Sequence, residues 1–369
     1  MTKKGTLFDF RGGEGTVVLV LDRHNDPVTP LLFQWTYQAM VHEIFGLNKN
    51  IVELPGKAGV TKASSYLLSP SEDAFYQRSM YLNYGDLGDA VKGLVDEYKA
   101  KSKGNESIST LEDIKDFFNR YPEFRRSGAA ASMHVSILTD LSAEISRRLL
   151  MDIGSLEQEI VCDAAAPAAA LRAVMDVLGN PAADPADKQR LALLYTLRYG
   201  KDAGLAAALP PDARRALDDA LRFAGPRVAS REIFGEASIL DRARKNVKLG
   251  LGLSGIENVY TRHQPFFVSI VEALVAGDKK MAEQFPVVAG SAAGAGGAGA
   301  GAGDQQQQKV SEVIVFYVGG ANFEEAFHVA EFNRGHAGAG VHLIMGSTNI
   351  LNSRLFIQEL QEFADIRRK

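Results

Sequence analysis

The sequence of 369 residues contains one cysteine, Cys162, and one tryptophan, Trp35. A lone thiol excludes an internal disulfide and a thiolate metal cluster, and it fits a reducing compartment. Positive charge is not in excess: 41 Lys and Arg stand against 45 Asp and Glu, a formal net charge of −4. No overall positive field therefore points to nucleic acid or to an anionic membrane. Long apolar runs are missing too. Val17 to Leu21 and Val313 to Val318 are far shorter than the ~20 residues a membrane span requires. The basic start, Met1-Thr2-Lys3-Lys4-Gly5, has no apolar stretch behind it of the kind a secretory signal needs. Neither G-x-S-x-G nor H-E-x-x-H occurs, which removes the nucleophile elbow and the commonest zinc-protease arrangement. What remains is ordinary globular usage, 46% apolar and 23% charged. The length, at ~150 residues per domain, implies two or three domains.

The two ends of the chain read alike. Thr16 to Leu21 is a continuous β-branched and apolar run, read as a strand buried on both faces of a parallel sheet. Thr29 and Pro30 open a helix that runs to Gly46 and is apolar nearly all round. Near the other end, Val313 to Val318 and Val341 to Met345 read as strands. Phe323 to Asn333 and Ile350 to Phe363 read as helices. Strand and helix in alternation imply a parallel α/β layer.

Between roughly 60 and 285 almost nothing reads as strand. Ser109 and Glu112 form a capping box, and Leu111, Ile114, Phe117, Phe118 and Tyr121 make an apolar stripe ended by Pro122. Ile137, Leu138, Leu141, Ile145 and Leu149 make a second stripe. Further helices are expected at 168–178, 187–199, 211–223 and 258–276. The expected fold class is therefore α/β plus all-α: a parallel α/β domain split in sequence by a large, mostly helical inserted domain. Its parts are 1–54, the first piece of the α/β domain; 55–285, helical; 286–309, an Ala/Gly/Gln-rich disordered linker; and 310–369, the second piece.

Chemistry has few candidates. Asp22, Arg23 and Asp26 follow the first strand, at the sheet edge where ligands bind in open α/β folds. An ion-pair and capping cluster explains them more simply than a carboxylate site. The turns Gly319-Gly320-Ala321-Asn322 and Gly346-Ser347-Thr348-Asn349 could present backbone N–H groups to a phosphate, yet neither has a P-loop lysine or G-x-G-x-x-G spacing. A nucleotide-binding α/β enzyme using the Asp22/Arg23/Asp26 edge is the alternative to an interaction protein. No catalytic, cofactor-binding or metal-binding residue is assigned. The helical pair of Ser109–Tyr121 and Met133–Leu150 carries charge off its apolar stripes, including Glu112, Arg120, Glu144, Arg147 and Arg148. Those faces are either solvated or built to accept partner helices.

Several collinear stretches resemble one family. They are Leu7-Phe8-Asp9-Phe10-Arg11, Leu21 to Leu32, Gln34 to Glu43, Tyr121-Pro122-Glu123-Phe124, Gly255 to Thr261, Gln264-Pro265-Phe266 and Val318-Gly319-Gly320-Ala321. Together they resemble the Sec/Munc (SM) proteins, regulators of SNARE-mediated vesicle fusion, and within them the endosomal branch. The resemblance implies a non-enzymatic, cofactor-free protein whose helical domain carries a long hairpin that accepts SNARE helices. It implies SNARE contact at Phe118, Tyr121, Pro122, Phe124, His134, Ile137 and Leu141, with Arg147 and Arg148 as charges on the hairpin. The implied partners are a Qa-SNARE, an endosomal or trans-Golgi syntaxin, and its cognate vesicle SNARE. The implied setting is a cytoplasmic monomer, peripheral on Golgi, endosomal or vacuolar membranes through those SNAREs. SM proteins begin with an N-terminal α/β domain that this chain lacks, so an open sheet edge and weakened syntaxin binding are expected.

Overall fold

The computed structural model describes residues 15–55, 64–102, 129–163, 166–225, 234, 260–278, 280–286, 310–336, 338 and 340–368. The chain opens with β1 (Thr16–Asp22), two 3-10 turns (Arg23–Asn25 and Thr29–Leu31), α1 (Tyr37–Ile44), β2 (Ile51–Leu54) and β3 (Ser64–Leu67). Helices follow: α2 (Ala74–Ser79), α3 (Tyr84–Ser102), α4 (Ala129–Arg147), α5 (Leu150–Cys162), α6 (Pro167–Gly179) and α7 (Pro185–Tyr199). Then come α8 (Ala203–Ala208), α9 (Pro211–Ala224), α10 (Phe266–Val275) and α11 (Lys280–Gln284). The last elements are β4 (Glu312–Val318), β5 (Ala321–Asn322), α12 (Phe323–His336), β6 (His342–Ser347), β7 (Ile350–Leu351) and α13 (Ser353–Arg368).

The main sheet has the order β1-β4-β6. All its strands are parallel, with Thr16 opposite Glu312 and Glu312 opposite His342. Alternation sends Leu19, Leu21, Val313, Val315, Tyr317 and Leu343 to one face, where Phe267, Ile270 and Val271 of α10 and Phe332 of α12 cover them. The other face differs from the sequence reading. Val18 and Val20 are each 61% exposed, so among the described residues β1 is buried on one face only. β1 and β6 are the outer strands of the described sheet.

The expected helix from Thr29 to Gly46 is two pieces. Asp26 captures the N–H groups of Val28 (3.2 Å) and Thr29 (2.9 Å), closing a tight turn. Leu32 then goes extended at ψ 141°, the Phe33 N–H donates to Glu157 at 2.8 Å, and α1 begins only at Tyr37. Two strands were not foreseen: β2 and β3 pair antiparallel, Ile51 opposite Leu67. The 258–276 helix is confined, within the described residues, to Phe266–Val275, starting after Pro265. Ile350 and Leu351 pair with Ala321 and Asn322 instead of opening the last helix. Met133–Leu150 is met by α4, with a break at Leu149, whose φ is +56°. The expected helix at Ser109–Tyr121 and the linker core at 287–309 lie outside the described residues.

Two further apolar clusters organise the helices. Trp35, Tyr37, Met40 and Val41 pack with Leu87, Val91 and Val95 of α3 and with Ile137, Leu138 and Leu141 of α4. A second cluster joins α5, α6, α7 and α9 to Leu31, Leu32 and, from α13, Phe356, Ile357 and Leu360. A buried charge network bridges the two. Arg190 donates through Nε to Glu157 at 2.8 Å, and its Nη1 lies 3.1 Å from Asp187 and 3.4 Å from Glu43. Glu43 in turn accepts the Ser353 N–H at 2.9 Å, tying α1 to the start of α13. Burial opposes the charge on Arg190, and Glu157, Asp187 and Glu43 outweigh it, holding the guanidinium above its ordinary pKa.

Candidate partner-binding surface

The α3–α4 pair flanks residues 103–128, and α4 carries the second half of the hairpin that the sequence assigned to a partner. Leu87, Val91 and Val95 recur at four-residue spacing and turn one side of α3 inward. The other side exposes Asp86, Asp89, Asp96 and Glu97. On α4 the outward side is small and polar: Ala143, Ser146 and Arg147 are exposed, with Ser136, Thr139 and Glu144 half-buried. The pair thus offers water four carboxylates of α3 beside a smooth helix. The acidic side of α3 was missed in the sequence, although Asp86, Asp89 and Asp96 sit at spacings that share a helical face.

Four of the residues expected to meet a partner do something else here. His134, Ile137 and Leu141 are fully buried, because the stripe on α4 that reads as a docking face closes the core against α1 and α3. His134 joins Tyr37 (2.8 Å, Nδ1) to Asp73 (2.9 Å, Nε2), and burial lowers its pKa despite the Asp73 carboxylate. Arg148 is 6% exposed and forks onto Asp187 through Nε at 2.8 Å and Nη2 at 2.6 Å. Arg147 is the exception: it is exposed and pairs with Glu144 at 2.7 Å within its own helix. Phe118, Tyr121, Pro122 and Phe124 lie outside the described residues.

The nucleotide-site reading of the β1 edge is not supported. Asp26 is fully buried; besides Val28 and Thr29 it accepts the Thr29 hydroxyl at 2.5 Å and the Phe266 N–H at 3.2 Å. Burial would raise its pKa, but Arg23 and His263 hold it below the ordinary carboxylate range. Asp22 caps the next turn through the His24 N–H at 2.9 Å. The two glycine turns are filled by the protein itself. Gly320 has φ +89°, and a Cβ there would lie 2.7 Å from Leu351 Cγ. Its carbonyl accepts from Arg23 Nη2 at 2.9 Å, while Thr348 accepts the Gly319 N–H at 3.1 Å. Among the described residues no group of three or more His, Cys, Asp or Glu is placed to hold a metal ion. No described helix is long and apolar enough to cross a membrane.

The fold and this surface define a mixed helix-and-sheet protein whose buried Arg23, Asp26, Arg148 and Arg190 are engaged with other charges or with the backbone, and whose described α3–α4 pair faces water. The chain belongs to the Sec1 family, whose model matches residues 2–359. It is 36% identical over 377 residues to the vacuolar protein sorting-associated protein 45 homolog of Arabidopsis thaliana, covering 99% of this chain and 63% of that protein. It is 33% identical over 373 residues to vacuolar protein sorting-associated protein 45 of Homo sapiens, covering 98% of this chain and 62% of the relative. A solved structure of the SM protein Vps45 in complex with the Qa SNARE Tlg2 superposes with a TM-score of 0.72 at 31% identity, covering 94% of this chain and 59% of that one. The chain therefore spans less than two thirds of the length of the curated relatives it matches.

Proposed function

We propose that this chain is an SM-type regulator of SNARE assembly in vesicle docking and fusion on the Golgi, endosomal or vacuolar route, with no reaction of its own to catalyse. The observation that carries this reading is the likeness, at 31% identity over 94% of the chain, to a Vps45 structure that holds a Qa SNARE. The mechanism is preorganisation. Holding a Qa-SNARE helix and its vesicle partner side by side removes part of the ordering cost of forming the helical bundle. Direct contact falls to Phe118, Tyr121, Pro122 and Phe124, which lie between α3 and α4 in sequence, and to exposed Arg147. His134, Ile137, Leu141 and Arg148 act one step back, by fixing α4. The sheet pieces within 1–54 and 310–369 form one α/β unit around the helical 55–285. The chain works as a cytoplasmic monomer that reaches membranes through its SNAREs.

The test is capture of a purified endosomal Qa-SNARE cytoplasmic region and a vesicle SNARE by the chain, with Tyr121→Ala and Arg147→Glu variants alongside. The reading expects both SNAREs to be retained and both variants to weaken retention while melting like the parent. Failure of the folded parent to hold either SNARE overturns it.

A further inference from the structure

Among the described residues of α4, His134 is the one fully buried polar side chain, and it sits in the second turn of that helix. Its ring is bonded at both nitrogens. Nε2 lies 2.9 Å from Asp73 Oδ2, and Nδ1 lies 2.8 Å from the Tyr37 hydroxyl. A carboxylate only accepts, so Nε2 carries the hydrogen and donates it to Asp73. In the neutral ring Nδ1 is then a bare acceptor, and the Tyr37 O–H donates to it. A second ring proton would displace the Tyr37 hydrogen from Nδ1, and that hydroxyl has no other partner among the described residues.

Both partners of the ring are themselves fixed. The Tyr37 N–H donates to the Leu82 carbonyl at 2.9 Å and the Gln38 N–H to that of Met80 at 3.0 Å, which ties the start of α1 to the turn between α2 and α3. Asp73 caps α2 by accepting the Tyr76 N–H on Oδ1 at 2.9 Å. What the bridge adds to α4 is direction. Its other contacts in this stretch, through Ala131, Val135 and Leu138, are apolar, and apolar contact is non-directional. Around the ring, α2 supplies Phe75 at 4.6 Å and Tyr76, stacked at 6.4 Å, while α3 supplies apolar Leu87, Val91 and Val95 to the same cluster. Asp73 is the charge that faces His134, and burial opposes the imidazolium more than Asp73 favours it.

We propose that Tyr37 and Asp73 are positioning residues for partner binding: acting through His134, they fix the seat of α4 against α1 and α2. The inference rests on the reading that the hairpin containing α4 takes the SNARE. The seat is proton-dependent. It is complete while His134 is neutral, and it loses the Tyr37 bond when the ring takes a second proton, so α4 loosens as pH falls below the ordinary histidine range.

The test uses the full chain and follows backbone hydrogen exchange of Ala131 to Leu138 between about pH 7.5 and about pH 4.5, corrected for the intrinsic effect of pH. Protection there should fall about tenfold across an acid limb. Tyr37→Phe removes the bond that favours the neutral ring and should move the limb up by roughly 0.5–1 pH unit. Asp73→Asn removes the charge that favours the imidazolium and should move it down by a similar amount. His134→Gln can donate and accept but takes no proton, and should flatten the limb. A bond that is only structural would lower protection at every pH without moving the limb, so a limb that neither variant moves, or that both move the same way, overturns the proposal. Should Asp73→Asn fail to fold, the Tyr37→Phe shift and the His134→Gln profile decide alone. Capture of a purified Qa-SNARE cytoplasmic region should weaken on the same limb and shift with it. Capture that ignores the limb overturns the positioning role; if the folded parent never captures the SNARE, the function proposed above fails while the limb still decides the bridge.

Discussion

Arg23 places Nη2 2.8 Å from both oxygens of Glu325, across 302 positions of sequence. Both side chains are 1% exposed or less, and the guanidinium also lies 4.1 Å over the Tyr317 ring. Burial works against the Arg23 charge; Glu325, Tyr317 and Asp26 overcome it and raise its pKa. Removing one partner strands the other charge in the core. Arg23→Met should cost about 3–5 kcal/mol in urea unfolding, and adding Glu325→Met should restore part of it. A double variant no more stable than the single would show that shape, not charge, holds the pair.

Two adjacent arginines on α4 should behave in opposite ways. Arg148→Glu sets a third carboxylate against Asp187 in the buried network and should lose about 3–5 kcal/mol, enough to prevent folding in many domains. Arg147→Glu meets water and Glu144, and should stay within about 0.5 kcal/mol of the parent. Paired thermal melts separate them.

Gly154 leaves no room for a methyl group: a Cβ there would lie 2.9 Å from Trp35 Cζ2. Gly154→Ala should destabilise by about 1–3 kcal/mol through overpacking. Because Trp35 is the sole tryptophan, its fluorescence reports the shift directly. An unmoved spectrum with parental stability would contradict the packing.

Glu324 and His328 give a signed pH test. Burial and the neighbouring Glu325 push the Glu324 carboxyl up to about 7 from 4.5. Burial and His263 pull His328 down to about 3 from 6.5. The folded state keeps a carboxyl proton that the unfolded chain releases, so Glu324 erodes stability as pH rises from 4.5 to 7. His328 erodes it as pH falls from 6.5 towards 3, because the unfolded chain takes up a proton that the folded one refuses. Glu324→Gln should therefore melt above the parent by a margin that grows between about pH 5 and about pH 8. A constant margin would mean that Glu324 ionises in place.

The three strands of the main sheet and most helices were legible because their signals are local. The run from Thr16 to Leu21 became Thr16–Asp22, and Pro211 opened the helix it was expected to open. What the sequence hid depends on distant groups. Nothing near Leu32 announces that Glu157 captures the Phe33 N–H and ends the first turn. The α4 stripe shows that His134, Ile137 and Leu141 share a face, but not whether that face meets a partner or α1. Arg147 and Arg148 are neighbours with equal charge, and only the position of Asp187 in space sends one inward.

The parallel register of β1 and β4 also sets a clock for synthesis. Thr16 and Glu312 are 296 residues apart, so a ribosome adding ~5–20 residues per second makes the first strand wait about 15–60 s for its neighbour. Until α10 and then β4 are made, Leu19 and Leu21 have nothing from either to cover them, and the nascent chain carries an apolar ribbon. Helices α3 to α9 can pack while translation continues; the sheet closes only once β4 and β6 emerge, which makes a holding chaperone more valuable for this chain than its ordinary apolar content suggests.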